Sequence, residues 1–412
     1  MSRVVPSWRI CKWMRITVIG ILGLFGFVLF SKTNNTVVFD SILKIEIYKS
    51  ILYKEDYCVI YDYWEASGEF KNGDYITLVL HATPKYLNFL QDHLDTWDGG
   101  ISVSVFIPTP EISDLILNSE KVIDVNSVQL NLQEILSGID KMKNFKNSGR
   151  ISLHLFFEKK NFSTCPNIRN SGIKLDTSGE LMDFQISSGL YPINPARNIA
   201  RNGSKTELFI SGDIEQIFCK KFEKKMKILA KKILLEEKKK FVLVHRRFEI
   251  SENATLPKTK NELLKLIKNK QALPFHQKVY NRGHYIPELE KWLTNPEKNE
   301  SDIQMILNYT NSEWEPQFVC DKNTPFHDDR FPFRLRSNTH LSTILCFQGY
   351  QFAIVNDLFT VHRGIKLKET GSDKMAKKRM LQKGYVKMVN KFVNELINKY
   401  PSMRNVCPLL LP

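Results

Sequence analysis

The chain of 412 residues carries one long hydrophobic run, no internal repeat, no low-complexity linker and no Cys-x-x-Cys pair. Each absence removes a class of function. Without paired cysteines or a Cys/His cluster there is no zinc-site spacing. The lack of Gly-x-Ser-x-Gly leaves no nucleophile elbow, and the lack of Gly-x-x-x-x-Gly-Lys leaves no Walker-type phosphate loop. Lysine and arginine exceed acids by 59 to 44, a net charge of +15. That excess forms neither a basic arm nor an aromatic-interleaved stripe, as nucleic-acid binding would require. It lies on helical faces instead, as in "CKKFEKKMKILAKKILLEEKKK" (Cys219 to Lys240), where apolar residues keep a helical period and lysine fills the other face. A positive surface still attracts anionic substrates. With 42% hydrophobic and 25% charged residues, the composition is globular rather than disordered.

The one hydrophobic run is "ITVIGILGLFGFVLF", Ile16 to Phe30, preceded by Arg3, Arg9, Lys12 and Arg15 with no acid. It is short for a membrane span, but Met14 and Ser31 extend it and Arg15 can snorkel. The long basic leader and the lack of a small-x-small cleavage pattern favour an uncleaved signal anchor over a cleaved signal peptide. Basic residues before the run place the N-terminus in the cytoplasm and everything after about residue 32 in the lumen. The expected division is a tail at 1–15, a transmembrane anchor at 16–31, a membrane-proximal stem at 32–70 and one lumenal domain at 71–412. Asn-x-Ser/Thr acceptors fall at Asn34, Asn161, Asn202, Asn253, Asn299 and Asn308, all beyond the run. Of seven cysteines, Cys11 precedes the run; the other six are an even number compatible with three disulfides in an oxidising compartment.

From Asp74 onward, strand and helix patterns alternate. "YITLVLHA" (75–82), "ISVSVFIP" (101–108) and "ISLHLFFE" (151–158) read as strands; "PKYLNFLQDHLDTWDG" and "VNSVQLNLQEILSGIDKM" read as helical. A helix follows from near Pro192 or Pro195 to Gly203, then a strand through Leu208 to Ile210 and the Lys-rich helix. "FVLVHRRFEI" (241–250) is a further strand, Pro257 to Lys270 a helix, and an amphipathic helix runs near Lys377 to Tyr400. Strand–helix–strand alternation with short turns predicts an α/β fold with a mostly parallel sheet in a single domain. In such sheets ligands bind beyond the carboxyl ends of the strands.

One such end is "TELFISGDIEQIF" (206–218), where a strand runs into Asp213 and Glu215. Carboxylates spaced i and i+2 can address one metal-bound ligand, but a polar strand end is equally ordinary. His362 ends the apolar stretch "DLFTVHRG" and is a candidate second metal ligand or a satisfied core histidine. "HDDRF" offers Asp328 and Asp329 beside Arg330, as catalytic bases or as a salt-bridged loop. A transferase that expels a nucleoside diphosphate uses a divalent cation as Lewis acid, held by a few carboxylates and often a histidine.

Taken together, "YPINPARNIARNGSKTELFISGD", "LPKTKNELLKLIKNKQALPFH", "WEPQFV", "HDDRF" and "GYQFAIVNDLFTVHRGIK" resemble glycosyltransferase family 49 in order and spacing, over about residues 70 to 400. The resemblance implies a GT-A-like catalytic domain behind an N-terminal transmembrane helix, in a single-pass type II Golgi membrane protein. It further implies an inverting, Mn²⁺-dependent transfer of glucuronic acid, N-acetylglucosamine or xylose from a UDP-sugar to a glycan acceptor. An oligomer with itself or with another transferase belongs to the same expectation; nucleic acid does not. By this likeness Asp213 and His362 match metal ligands, Arg197 and Asp213 lie at the donor, and Asp328 and Asp329 at the acceptor side. The chain departs from the family at two points. Ser211-Gly212-Asp213 stands where Asp-x-Asp is expected, with Glu215 as a substitute ligand, and "PFRLRSN" (332–338) replaces a Gly-Tyr-Gly-like segment. Loss of one metal carboxylate commonly weakens binding about tenfold or more, so the alternative is a catalytically weak relative that binds glycan or a partner.

Overall fold

The strand-forming stretches meet in one large sheet. The computed structural model describes residues 46–71, 73–107, 135–159, 162–170 and 191–412. The anchor expected at 16–31 and the acceptors Asn34 and Asn161 lie outside the described residues. Among the described residues no helix is long and apolar enough to cross a membrane. The chain divides into a small unit (1–46 and 171–173) and a large one (47–170 and 174–412); of the small unit only Glu46 is described.

The large unit contains a 12-stranded sheet. Its strands are β1 Ile51–Tyr53, β2 Tyr57–Trp64, β3 Ile76–Ala82, β4 Ile101–Phe106, β5 Ile151–Glu158 and β6 Leu208–Ser211. β7 Ile217–Phe218, β8 Phe241–Ile250, β9 Ala272–Pro274, β10 Ile303–Leu307, β11 Phe318–Asp321 and β12 Gln351–Arg363 complete it. The spatial order is β10-β12-β8-β11-β6-β3-β4-β5-β2-β1, with β9 on β8 and β7 on β12. β6, β3, β4 and β5 run parallel, as do β8 and β12; every other pairing is antiparallel. The sheet is therefore mixed, which corrects the expectation of a mostly parallel one. Strands buried on both faces read as continuous apolar runs whatever the direction of their neighbour. Antiparallel β11, inserted between β6 and β8, leaves no trace in that pattern. β1 and β2 bring residues 51–64, expected in the stem, into this sheet.

Helices cover both faces. The ones that matter here are α1 Phe89–Thr96, α2 Ile193–Gly203, α3 Phe222–Ala230, α4 Lys260–Lys268, α5 Thr339–Phe347, α6 Gly371–Met380 and α7 Lys383–Lys399. Alternation along the strands sorts the core into two layers. Leu78, Leu80 and Ile210 pack on one side, Val79, Phe209 and Val244 on the other. Each such side chain stabilises the fold by about 1.5–3 kcal/mol. Polar residues in the central strands are satisfied by a helix: Ser102 and Ser104 of β4 donate to the carbonyls of Ala200 and Ala196, at 2.5 and 2.7 Å. These bonds fix α2 over the sheet.

Disulfides join Cys58 to Cys165 and Cys346 to Cys407, while Cys219 and Cys320 are free and buried. Two bridges among the described residues, not three, correct the reading from cysteine parity. Cys219 and Cys320 belong to opposite layers of the core, with the sheet between them.

β12 does not run straight. Opposite the single residue His245 of β8 it advances from Val355 to Leu358, and in this bulge Asp357 adopts φ 67°. Its carboxylate accepts from Lys260 Nζ at 2.6 Å and from the Lys298 backbone N–H at 2.9 Å. Lys260 and Asp357 are 2% and 0% exposed. Removing one member of a buried pair strands the other charge. Asp357→Ala is expected to cost about 3–5 kcal/mol in urea unfolding at neutral pH; a change under about 1 kcal/mol would contradict the pairing.

Candidate active site

The carboxyl ends of β3 and β6 open onto a cleft of about 1560 Å³. His81 comes from β3. Asp213 follows β6 through Gly212, whose N–H continues the ladder to the Val79 carbonyl at 3.0 Å. α2 delivers Arg197, which is 4% exposed, to the same point. Arg197 Nη2 donates to Asp213 Oδ1 at 3.2 Å and Gln317 Nε2 donates to Oδ2 at 3.3 Å. His81 Nε2 stands 3.6 Å from Oδ1, close enough to feel the charge but too far for a hydrogen bond. Burial alone would raise the Asp213 pKa, but His81, Arg197 and Arg247 together hold it well below the usual carboxylate range. Burial lowers the His81 pKa despite Asp213, so the imidazole is neutral at physiological pH. Its Nδ1 meets the Tyr191 hydroxyl at 2.9 Å, while Nε2 is buried without a hydrogen-bond partner.

The opposite wall is built on β8 and β12. Arg247 Nη2 donates to His284 Nδ1 at 2.7 Å and to the Glu315 carbonyl at 2.8 Å, with its guanidinium 4.7 Å from the Phe275 ring centre. Phe275 also stacks on His276, centroids 3.9 Å apart. Glu315 lines the cleft, and burial lifts its carboxyl above the ordinary value even against Arg247. His362, at the end of β12, sits 3.9 Å through Nε2 from Glu215 Oε2. Burial would lower its pKa, but Glu215 raises it above the ordinary value. One cleft thus contains a carboxylate driven down and another driven up, the arrangement that separates acid and base roles.

A model of the family described as "Glycosyl-transferase for dystroglycan" matches residues 75–401. The chain belongs to glycosyltransferase family 49. It is accordingly a UDP-sugar glycosyltransferase by family. It is similar to the beta-1,4-glucuronyltransferase 1 of Danio rerio, 22% identical over 382 residues that cover 90% of this chain and 83% of that protein. The Homo sapiens counterpart is 23% identical over 350 residues, 81% of this chain and 77% of that protein. The xylosyl- and glucuronyltransferase LARGE1 of Homo sapiens is 24% identical over 175 residues, 42% of this chain and 22% of that protein. Among solved structures, GalNAc-T7 with UDP, GalNAc and Mn²⁺ covers 84% of this chain and 54% of its own at 10% identity and a TM-score of 0.39, too slight a likeness to carry an inference.

Of the residues singled out in the transferase sequence, Asp213, Arg197, Glu215 and His362 all line the cleft. They are grouped differently than expected. Asp213 is matched to Arg197 and His81, and Glu215 to His362. Asp328 and Asp329 do not line the cleft. Asp328 is held by Arg330, Nη2 to Oδ2 2.6 Å, which also pairs with Glu395 at 2.7 Å. Asp329 accepts from Asn198 Nδ2 at 2.7 Å, from the Tyr53 hydroxyl at 3.2 Å and from Lys54. "HDDRF" is fastened to α2 by Asn194 and Asn198, which donate to the carbonyls of Asp328, Phe331 and His327. Arg197 donates to the Ser337 carbonyl at 3.0 Å, so one helix face joins this loop to Asp213. Glu315 and Gln317 were not singled out. Their signal was alternation in "WEPQFV": Trp314 and Pro316 are buried while Glu315 and Gln317, two residues apart, serve the site.

Among the described residues no three His, Cys, Asp or Glu side chains converge on one metal position. The donors come instead as two carboxylate–imidazole pairs, with His81 Nε2 and His362 Nδ1 buried and unpartnered. A hard divalent cation held by one or two carboxylates takes its other ligands from substrate phosphates and water. The residues present are compatible with such a partial site. Titration of the imidazoles by NMR is expected to place His362 above about 6.5 and His81 below it. Glu215→Gln should bring His362 down to or below that value; an unchanged His362 would show that Glu215 does not hold the proton there.

Proposed function

We propose that the chain transfers a sugar with inversion from a UDP-sugar to a glycan acceptor, in a GT-A-type cleft assisted by a divalent metal. The observation that carries this reading is the split between Asp213, held ionised by Arg197, and Glu315, whose proton affinity is raised in the same cleft. Asp213 would supply a carboxylate to the cation, Mn²⁺ being suited to carboxylate, phosphate and water oxygens, with the separate Glu215–His362 pair lining the same cleft. When bound, that ion supplies Lewis-acid stabilisation to the departing diphosphate. The chain's own residues do the rest. Glu315 accepts the proton of the acceptor hydroxyl as its oxygen bonds to the sugar's anomeric carbon and the bond to the diphosphate breaks. Arg197 holds Asp213 in place, and Arg247, buried against Phe275, adds fixed positive charge beside it. Glu315 takes the role that the resemblance gives to Asp328 and Asp329, because it faces the cleft and they do not.

The relatives named as glucuronyltransferases support glucuronic acid as the transferred sugar, with xylose and N-acetylglucosamine as the alternatives. A lumenal, Golgi-membrane setting is supported by the apolar run Ile16 to Phe30 and the two disulfides. The described acceptors Asn202, Asn253, Asn299 and Asn308 are all exposed, as that setting requires. Ser211 in place of an acid favours a second reading, a catalytically weak relative that binds glycan.

Hydrolysis and transfer assays with a panel of UDP-sugars and Mn²⁺ separate the two. Glu315→Gln is expected to lower kcat by roughly 10²–10⁴, and Asp213→Asn to abolish transfer, both with an unchanged melting temperature. Full activity in either variant removes that residue from the mechanism. A wild-type protein inert toward every donor favours the glycan-binding reading.

A further inference from the structure

Five arginines line the cleft: Arg197, Arg247, Arg282, Arg334 and Arg336. Three of them are neutralised by a carboxylate: Arg197 by Asp213 at 3.2 Å, Arg282 by Glu313 at 3.2 Å and Arg334 by Asp373 at 2.7 Å. Arg247 makes no ion pair among the described residues but lies in the field of Asp213 and Glu315. Arg336 differs from all of these. Among the described residues it makes no ion pair; its Nε donates to the Leu411 carbonyl at 3.1 Å. Among the described residues its guanidinium meets the Tyr280 hydroxyl but no carboxylate, so it lacks a counter-ion.

The position is built rather than incidental. Arg336 holds φ 56° and Arg334 φ 64°, left-handed values that a non-glycine residue keeps only when its surroundings impose them. The Arg336 carbonyl accepts from His340 Nδ1 at 2.9 Å at the start of α5. The Cys346–Cys407 bridge ties α5 to the tail that supplies Leu411. Tyr280, Tyr309 and Tyr385 lie within reach of the Arg336 charge, and Tyr280 lines the cleft and also feels Glu315. A half-buried guanidinium without a counter-ion, walled by tyrosine beside the candidate base, is arranged for a planar anion on a sugar.

We propose that Arg336 recognises the carboxylate of an acidic substrate sugar, through a guanidinium that no protein carboxylate neutralises among the described residues, on the Glu315 side of the cleft. The carboxylate belongs either to the donor's transferred sugar or to the acceptor. The role rests on the glycosyltransfer reading above, with the diphosphate assigned to the Asp213 end. The guanidinium comes from "PFRLRSN" (332–338), the segment expected from sequence to differ from the family pattern.

Matched pairs that differ only in a carboxylate test it by binding, without needing turnover. Calorimetry with Mn²⁺ compares UDP-glucuronic acid with UDP-glucose, and saturation-transfer NMR compares methyl β-D-glucuronide with methyl β-D-glucoside. Wild type is expected to favour the acid at least tenfold in one pair. Preference in the first pair identifies the donor sugar as the source, in the second the acceptor. Arg336→Met should abolish that preference while the affinity for UDP alone stays within twofold, and Arg336→Lys should retain only part of it. No acid preference in wild type, or an undiminished one in both variants, overturns the proposal. A loss of UDP affinity equal to the loss for UDP-glucuronic acid would place Arg336 on the diphosphate and overturn it too. Absence of any UDP binding by wild type counts against the transferase reading, whereas the methyl glycoside pair reports on Arg336 regardless.

Discussion

The contact between Arg197 and Asp213 organises this molecule. A carboxylate at a strand end is ordinary; one held ionised within a cleft needs compensating charge. Arg197 provides it from α2, and α2 is in place because Ser102 and Ser104 of β4 bond its carbonyls. The same helix fastens the 327–337 loop through Asn194, Arg197 and Asn198. Strand, helix, site carboxylate and loop therefore form one mechanical unit. A change in any of them is felt at Asp213.

Around that unit the cleft keeps its charges apart. Asp213, compensated by Arg197 and Gln317, is ionised, whereas Glu315 is buried enough that its proton is harder to remove. His81 is kept neutral and His362 is biased toward its charged form by Glu215. The strand leading to Asp213 ends at Ser211, and Glu215 reaches the cleft two residues beyond Asp213. Positive charge is then carried by fixed guanidinium groups. Two of these, Arg334 and Arg336, come from the 332–338 segment.

Much of the fold could be read from residue patterns. "ISLHLFFE" and "FVLVHRRFEI" are strands over the residues expected, because β-branched and aromatic residues run there without interruption. Strand direction could not be read, since burial on both faces gives the same apolar run for a parallel or antiparallel neighbour. Cysteine parity also misled, because Cys219 and Cys320 pack as small apolar groups in separate layers. At the site, Asp213 and His362 stood out as polar residues ending apolar strands, and both reach the cleft. Asp328 and Asp329 stood out by charge density and by the resemblance of "HDDRF" to a family motif; Asn198 and Arg330 engage them in three dimensions. Glu315 carried the weakest local signal, one acid between a tryptophan and a proline, and only the fold turns it toward the cleft.

The account stands or falls on whether the Asp213 end of the cleft holds a metal and a nucleoside diphosphate together. Calorimetric titration of UDP into the purified protein, first with Mn²⁺ and then after EDTA, measures this directly. Micromolar to millimolar affinity that EDTA abolishes is the result predicted. Absence of heat under both conditions, or affinity indifferent to the chelator, would contradict it.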